Sequence, residues 1–155
     1  MLEALGGQDE RIRSQVAMGF ALSDVHTLNV CAVTVVALPG ARVLPMAAGR
    51  DDGLFEHDGQ ITKREVRALT LSALAPRRGE LLWDIGAGSG SVAIEWMLAD
   101  QSLKAIAIEA DGERVARIGR NATAFGVPDL RVIGGAAGGY GAALAGRDRG
   151  RICSG

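Results

Sequence analysis

The sequence predicts an α/β fold built on a parallel sheet, and three observations carry that prediction. Short apolar runs alternate with amphipathic stretches of helical period between Thr62 and Ile133. The first of those runs leads into a glycine-rich loop, Gly86 to Gly90, that opens a helix. The second run ends on an acid, Glu109. Alternation of this kind implies right-handed crossovers between parallel strands.

Each element has its own justification. Met1 to Leu5 reads as the end of a helix stopped by Gly6-Gly7. Arg11 to Leu22 carries Ile12, Val16 and Phe20 at i, i+4, i+8, the spacing of an amphipathic helix. Leu28 to Leu38, LNVCAVTVVAL, is β-branched and almost wholly apolar, as a strand covered on both faces would be. Pro39-Gly40 ends it, and Pro45, Gly49, Asp51, Asp52, Gly53, Asp58 and Gly59 then interrupt every candidate element. A domain boundary is expected there, with a linker over 39–54.

Order resumes at Thr62. The string Thr62-Lys63-Arg64-Glu65 has the form of a capping box. Behind it Val66, Leu69 and Ala73 share a face, and Pro76 closes the helix. Glu80 to Ile85 reads as a buried strand, Ser91 to Ala99 as a helix with Val92, Trp96 and Ala99 on one side, and Leu103 to Glu109 as a second strand. Asp111 caps a third helix whose face is Val115, Ile118, Ala122 and Phe125, with Gly126 and Pro128 after it. Leu130 to Ile133 is a third strand. No fourth strand is visible between Gly134 and Gly155, a segment with eight glycines.

Composition narrows the function classes. Lys plus Arg is 17 and Asp plus Glu is 18, a net charge of −1, so there is no general attraction to nucleic acid or anionic membranes. No apolar run has the length of a membrane span. Met1 to Gly7 lacks the basic flank and apolar stretch of a signal peptide, and a cytoplasmic address is expected. Cys31 and Cys153 stand apart from each other and from His26 and His57, so neither a disulfide framework nor a metal site is expected.

The chemistry concentrates in Asp84-Ile85-Gly86-Ala87-Gly88-Ser89-Gly90-Ser91. Glycine removes the Cβ that would block a ligand and permits the tight turn. A dinucleotide site would read G-x-G-x-x-G, and Ser91 stands where the third glycine should be. The observed form, acidic-x-G-x-G-x-G, is the pattern of class I S-adenosylmethionine methyltransferases. Glu109, 23 residues after Gly86, is placed to accept both hydroxyls of a ribose, a geometry shared by both ligand classes. Thr62 reads first as an N-cap whose hydroxyl could also reach a cofactor carboxylate. Asp84 is expected to order the loop through backbone N–H bonds. Trp83 and Trp96 are expected in the core. His57, beside Glu56 and Asp58, reads as a solvated loop histidine, with a general base as the alternative. Arg64 and Arg67 read as a solvated helix face, with an acidic substrate as the alternative.

These residues also carry a family resemblance. FEHDGQITKREVRAL (55–69), LLWDIGAGSGSVAIEW and AIAIEAD closely resemble the C-terminal C15-methyltransferase/decarboxylase domain of the precorrin-6Y C5,15-methyltransferase (decarboxylating) family. They are also similar to stand-alone cobalt-precorrin C15-methyltransferases. The stretch 1–38, with LGG, ERIR and LNVCAVTVVAL, looks like the end of the tetrapyrrole methylase domain that precedes it in that family. The resemblance implies a remnant over 1–38, a linker over 39–54, a cofactor-binding half-domain over 55–137 and an aberrant Gly/Arg-rich tail over 138–155. A frameshift or truncation would produce such a tail.

The implied fold is the Rossmann-like class I S-adenosylmethionine methyltransferase fold, with a partial parallel sheet whose C-terminal half is missing. The implied reaction is methyl transfer from S-adenosylmethionine to C15 of a precorrin, with decarboxylation of the ring C acetate, in cobalamin biosynthesis. By motif position, Thr62, Gly86, Ala87, Gly88, Ser89, Gly90, Glu109 and Ala137 correspond to cofactor contacts. No catalytic side chain and no metal is implied. The partner is a tetrapyrrole, and a homo-oligomer is compatible with the pattern. Two alternatives stay open: a methyltransferase of another substrate, and a nucleotide-binding module without catalysis. With no fourth strand, the first strand of the domain would be an exposed edge and half the ligand crevice would lack a wall. The chain alone is therefore expected to be marginally stable and to transfer no methyl group.

Overall fold

The computed structural model describes residues 1–135 and 150–154. The chain divides into two compact units, Met1–Arg42 and Val43–Gly155. In the first, three two-residue strands, β1 (Leu2–Glu3), β2 (Arg11–Ile12) and β3 (Asn29–Val30), form a sheet with β1 central and both pairings antiparallel. The expected helices over Met1–Leu5 and Arg11–Leu22 are absent, and only Asn29–Val30 of the expected strand Leu28–Leu38 is a strand. The organising group is polar. The buried Glu3 carboxylate accepts from Arg13 Nε at 2.6 Å, Arg11 Nε at 3.1 Å and the His26 N–H at 2.9 Å. Helical spacing lost to this convergence, and Val16 and Phe20 stay exposed.

The second unit follows the predicted alternation. Helix α1 (Arg64–Leu74) ends at Ala75 and Pro76, and then come β4 (Leu81–Ile85), α2 (Ser91–Ala99), β5 (Lys104–Glu109), α3 (Gly112–Ala124) and β6 (Arg131–Gly134). A last strand, β7 (Arg151–Ser154), was not expected. It pairs in parallel with β4, Asp84 opposite Cys153, and the sheet order is β6-β5-β4-β7. All three pairings are parallel, a Rossmann-like arrangement. The first strand of the domain is therefore an inner strand, which removes the premise of an exposed β4 edge and a missing wall. Arg151 is tied to Glu80 at 3.0 Å, and that ion pair fixes the register that four residues could not specify by pattern.

One face of the sheet carries the main core. Leu82, Ala105 and Ala107 meet Val92, Ile94 and Trp96 of α2, Leu71 of α1 and Ile118, Ala122 and Phe125 around α3. Trp83, Ile106 and Ile108 are buried on the alternate positions. Trp83 and Trp96 are both core, and the Trp96 indole N–H donates to the Lys104 carbonyl at 3.0 Å.

Helix α1 buries a face that its apolar pattern does not announce. Arg67 and Leu71 are buried, whereas Val66 and Leu69 are exposed. The cause is a counter-charge: Arg67 Nε meets the buried Glu95 carboxylate of α2 at 2.7 Å, so Arg67 is neither a solvated residue nor open to an acidic substrate. Gly49 and Arg50 donate their backbone N–H groups to the same carboxylate at 2.8 and 3.0 Å. The second part of the stretch expected as linker is thus bonded to α2. No helix among the described residues is long and apolar enough to cross a membrane.

Candidate functional site

Strand β4 delivers its chain at Ile85 into a turn that reverses onto α2. The turn needs positive φ at Gly86 (+76°), Gly88 (+58°) and Gly90 (+76°), a region that side chains with a Cβ avoid. The reasons for the glycines differ. A Cβ on Gly86 would meet nothing within 4 Å, so this face is open to a ligand. A Cβ on Gly88 would sit 3.3 Å from the Gln60 carbonyl oxygen. A Cβ on Gly90 would strike Ile118 of α3 at 2.8 Å, so this glycine permits α2 and α3 to approach.

Four of the loop amides are already engaged. Gly86 and Ala87 donate to the Ile108 carbonyl at 2.9 and 3.0 Å, and Gly90 donates to Ala87 O at 2.7 Å. Gly88 donates to Glu109 Oε2 at 2.8 Å. The other oxygen of Glu109 accepts from Asp111 N at 3.0 Å. One N–H per oxygen fixes the carboxylate plane at the end of β5 and leaves a lone pair on each oxygen. Asp111 in turn caps α3, accepting from Glu113 N and Arg114 N.

These groups surround a pocket of about 360 Å³ at the C-terminal ends of β4 and β5. Thr62, Gly86, Ala87, Gly88 and Glu109 line it, and so do Gly59, Gln60, Ile61 and Arg114. The last four were not expected. Their signal lay in the run Glu56 to Gln60 and in the arginines at 114, 117 and 120, spaced to meet it from one face of α3. Asp58 is 2.9 Å from Arg114 Nε and 3.0 Å from Arg117 Nη1, and Glu56 is 2.9 Å from Arg120. The Arg114 hydrogen bond, then Arg117, hold the Asp58 carboxyl well below the ordinary carboxylate range.

The remaining expected residues fall elsewhere. Ser89 and Gly90 are buried and do not line the pocket; the Ser89 carbonyl accepts from Asn121 Nδ2 at 2.9 Å. Ala137 lies outside the described residues. The capping box does not form: the helix is capped by Lys63 without a side-chain bond, and Glu65 points to Arg64 at 3.7 Å. Beginning the helix one residue later leaves Thr62 on the pocket rather than on the helix terminus. Asp84 reaches past the loop and accepts from Ala93 N in the first turn of α2, at 3.2 Å. Burial raises its carboxyl to about 6, against the lowering effect of that bond and with help from the Glu109 charge. His57 is exposed, and its Nδ1 accepts from Gly59 N at 3.1 Å, which makes it a turn-former.

Residues 53–149 match the precorrin methyltransferase domain family. Over 137 residues the chain is 71% identical to a precorrin-6Y C(5,15)-methyltransferase (decarboxylating) of a Sinorhizobium species, covering 88% of this chain and 33% of that relative. Over 130 residues it is 48% identical to the protein of the same name from Mycobacterium tuberculosis, covering 82% and 32%. The chain thus spans about a third of the length of these curated relatives. Among solved structures, the C-terminal domain of precorrin-6Y C5,15-methyltransferase from Rhodobacter capsulatus is 52% identical, with a TM-score of 0.59 over 66% of this chain and 54% of that one. With the match from residue 53 to 149 spanning more than half of its length, and the same α/β arrangement in that solved relative, the chain belongs to the precorrin methyltransferase domain family.

Proposed function

We propose that the pocket between the glycine loop and Glu109 binds S-adenosylmethionine, with Thr62, Gly86, Ala87, Gly88 and Glu109 as its contacts. The observation that carries this reading is the Glu109 carboxylate, nearly buried and oriented by the Gly88 and Asp111 N–H groups. Two oxygens in a fixed plane, each with a free lone pair, suit the two hydroxyls of a ribose. The loop supports a nucleoside ligand over a dinucleotide. Ser91 stands where a dinucleotide loop has its third glycine, and the N–H groups of Gly86, Ala87, Gly88 and Gly90 are used within the protein. The bare Gly86 surface lets the ligand approach closely.

S-adenosylmethionine, when bound, supplies an electrophilic methyl group on a sulfonium whose C–S bonding electrons leave with the neutral thioether. The work left to the protein is alignment of ligand and acceptor, which alone removes several kcal/mol of barrier. Within the longer protein of its relatives, the reaction proposed for this domain is methylation of C15 of a precorrin with loss of the ring C acetate carboxyl as carbon dioxide. The relatives' names support it. The electrons of the broken C–C bond pass into the conjugated macrocycle, so no protein nucleophile is required.

Calorimetry with S-adenosylmethionine and with NAD tests the ligand class, and only the former is expected to bind. Glu109→Ala should weaken that binding by about 1–3 kcal/mol through loss of charge-assisted hydrogen bonds to the ribose. Unchanged affinity in this variant would remove the assignment. Turnover of methyl-labelled S-adenosylmethionine with a precorrin tests the acceptor.

A further inference from the structure

The wall of the pocket opposite the glycine loop is the irregular segment Gly59 to Thr62. It lies against the loop, since the Gln60 carbonyl oxygen is 3.3 Å from where a Gly88 Cβ would be. No strand or helix holds it. Its order comes from its two ends.

At the first end, Asp58 fastens the chain to α3. Its Oδ2 meets Arg114 and Arg117, while its Oδ1 accepts the Gln60 N–H at 3.0 Å and so sets the turn into the wall. At the second end, Thr62 is held by its carbonyl, which accepts from Arg67 Nη1. Arg67 is wholly buried and reaches three other groups: Glu95 Oε1 at 2.7 Å, the Arg50 carbonyl at 2.5 Å and Asp52 Oδ1 at 3.1 Å. Its guanidinium also lies over the Phe55 ring at 4.8 Å. A guanidinium serving only to neutralise Glu95 would have no need to reach Thr62. The forked donors of arginine, which lysine lacks, join that carbonyl to α2 and to the 50–52 segment at once.

We propose that Asp58 and Arg67 are positioning residues that clamp the wall Gly59–Thr62 from its two ends and thereby set how tightly the pocket holds its nucleoside ligand. The clamp is a property of the ligand-free fold, and its effect on affinity rests on the reading of the pocket as an S-adenosylmethionine site. A wall released at either end samples more conformations, and the apparent affinity falls with the competent fraction. If that fraction drops to about a tenth, the dissociation constant rises about tenfold.

The test uses the 155-residue chain with Asp58→Asn, Arg67→Lys and both together. Amide exchange in the ligand-free protein should quicken at Gln60, Ile61 and Thr62 in each variant, with β4 and β5 unchanged. Calorimetry with S-adenosylmethionine should show about a tenfold loss in each single variant. The double variant should lose less than the product, because both clamps act on one segment. Asp58 is partly exposed, so its variant keeps the core intact and carries the test should Arg67→Lys fail to fold. Unaltered exchange at residues 60–62 overturns the clamp. Faster exchange with wild-type affinity in Asp58→Asn, or fully multiplicative losses in the double variant, overturns its link to the ligand. Faster exchange in a protein whose wild type binds no S-adenosylmethionine overturns the assigned ligand and leaves the clamp standing.

Discussion

Two apolar runs of this chain have opposite fates. LNVCAVTVVAL in the first unit and KAIAIE in the second are both β-branched and apolar. In the second unit β5 is buried almost throughout: Ala105 and Ala107 pack under α2 and α3, and Ile106 and Ile108 cluster with Trp83 on the other face. In the first, Val33, Val35, Val36 and Leu38 are 69 to 86% exposed and only Asn29–Val30 pairs. The buried apolar set of Met1–Arg42 is Ala4, and its organising group is a carboxylate. Apolar composition supplies a driving force only when another apolar surface is at hand to exclude water. Helices α1 to α3 provide that surface for Leu82, Ala105 and Ala107, and neighbouring strands supply apolar contacts for Trp83, Ile106 and Ile108. Residues 33–38 stay exposed, although Val33 and Val36 share a groove with Val16 and Phe20.

The largest expected effect lies in the second unit. Trp96 is fully buried among Leu82, Ile94 and Ala107. Trp96→Ala should cost about 3–5 kcal/mol, from lost transfer energy and the cavity left behind. Urea unfolding followed by far-UV dichroism measures it. A loss below about 1 kcal/mol would mean that this core is loose, and the contrast between the two units would disappear.

The second effect is a pH dependence whose sign differs between the units. In the second unit burial lifts the Asp84 carboxyl to about 6. Its ordinary value is 3.8, so between these values the folded state holds more protons than the unfolded one. Stability of that unit therefore falls as pH rises from about 4 to 6, by roughly 2–3 kcal/mol, and the penalty is complete above 6. Urea midpoints across this window measure it, and Asp84→Asn should flatten the curve. A rise in stability across the same window, traced to Asp84, would reverse the assignment.

Those contrasts explain what the sequence disclosed. Strands β4 and β5 and helices α2 and α3 were legible to within a residue or so, because both partners of each contact lie in the same alternating run. The glycine loop and Glu109 were legible because positive φ and close approach leave few residue choices. Arg67 was not. Its counter-ion is a single acid inside the apolar helix SVAIEWMLA, 28 residues away, and no local pattern links the two. Strand β7 was hidden because RICS has two apolar residues, and its place depends on Arg151 finding Glu80. The first unit departs from its pattern because periodicity reports which face would be buried, and says nothing of whether a cover exists.

The third effect is confined to the first unit. Hydrogen bonds from Arg13, then from the His26 N–H, draw Glu3 down to about 2 from its ordinary 4.5. Here the folded state holds fewer protons between those values. The contribution is complete above pH 4.5 and is lost as pH falls toward 2, the opposite direction to Asp84. Exchange of the His26 amide, which donates to Glu3, should quicken in acid. Glu3→Gln should quicken it already at pH 7, leaving β5 amides unaffected. Equal protection in the variant would show that β1 is held by something other than this carboxylate.

The smallest effect sharpens the comparison most. Val35 sits in the apolar run and is 86% exposed. Burial of a valine side chain contributes about 1.5–3 kcal/mol, and an exposed one contributes almost nothing. Val35→Ser should therefore shift the urea midpoint of this chain by an amount within about 0.5 kcal/mol, the range of ordinary surface substitutions. Ile106 of β5, 7% exposed and chemically close to Val35, provides the matched control. Ile106→Ser should cost several times more, since it removes a packed side chain and buries a hydroxyl. If the two substitutions cost the same, residues 33–38 are covered in solution, and the contrast between the two runs disappears.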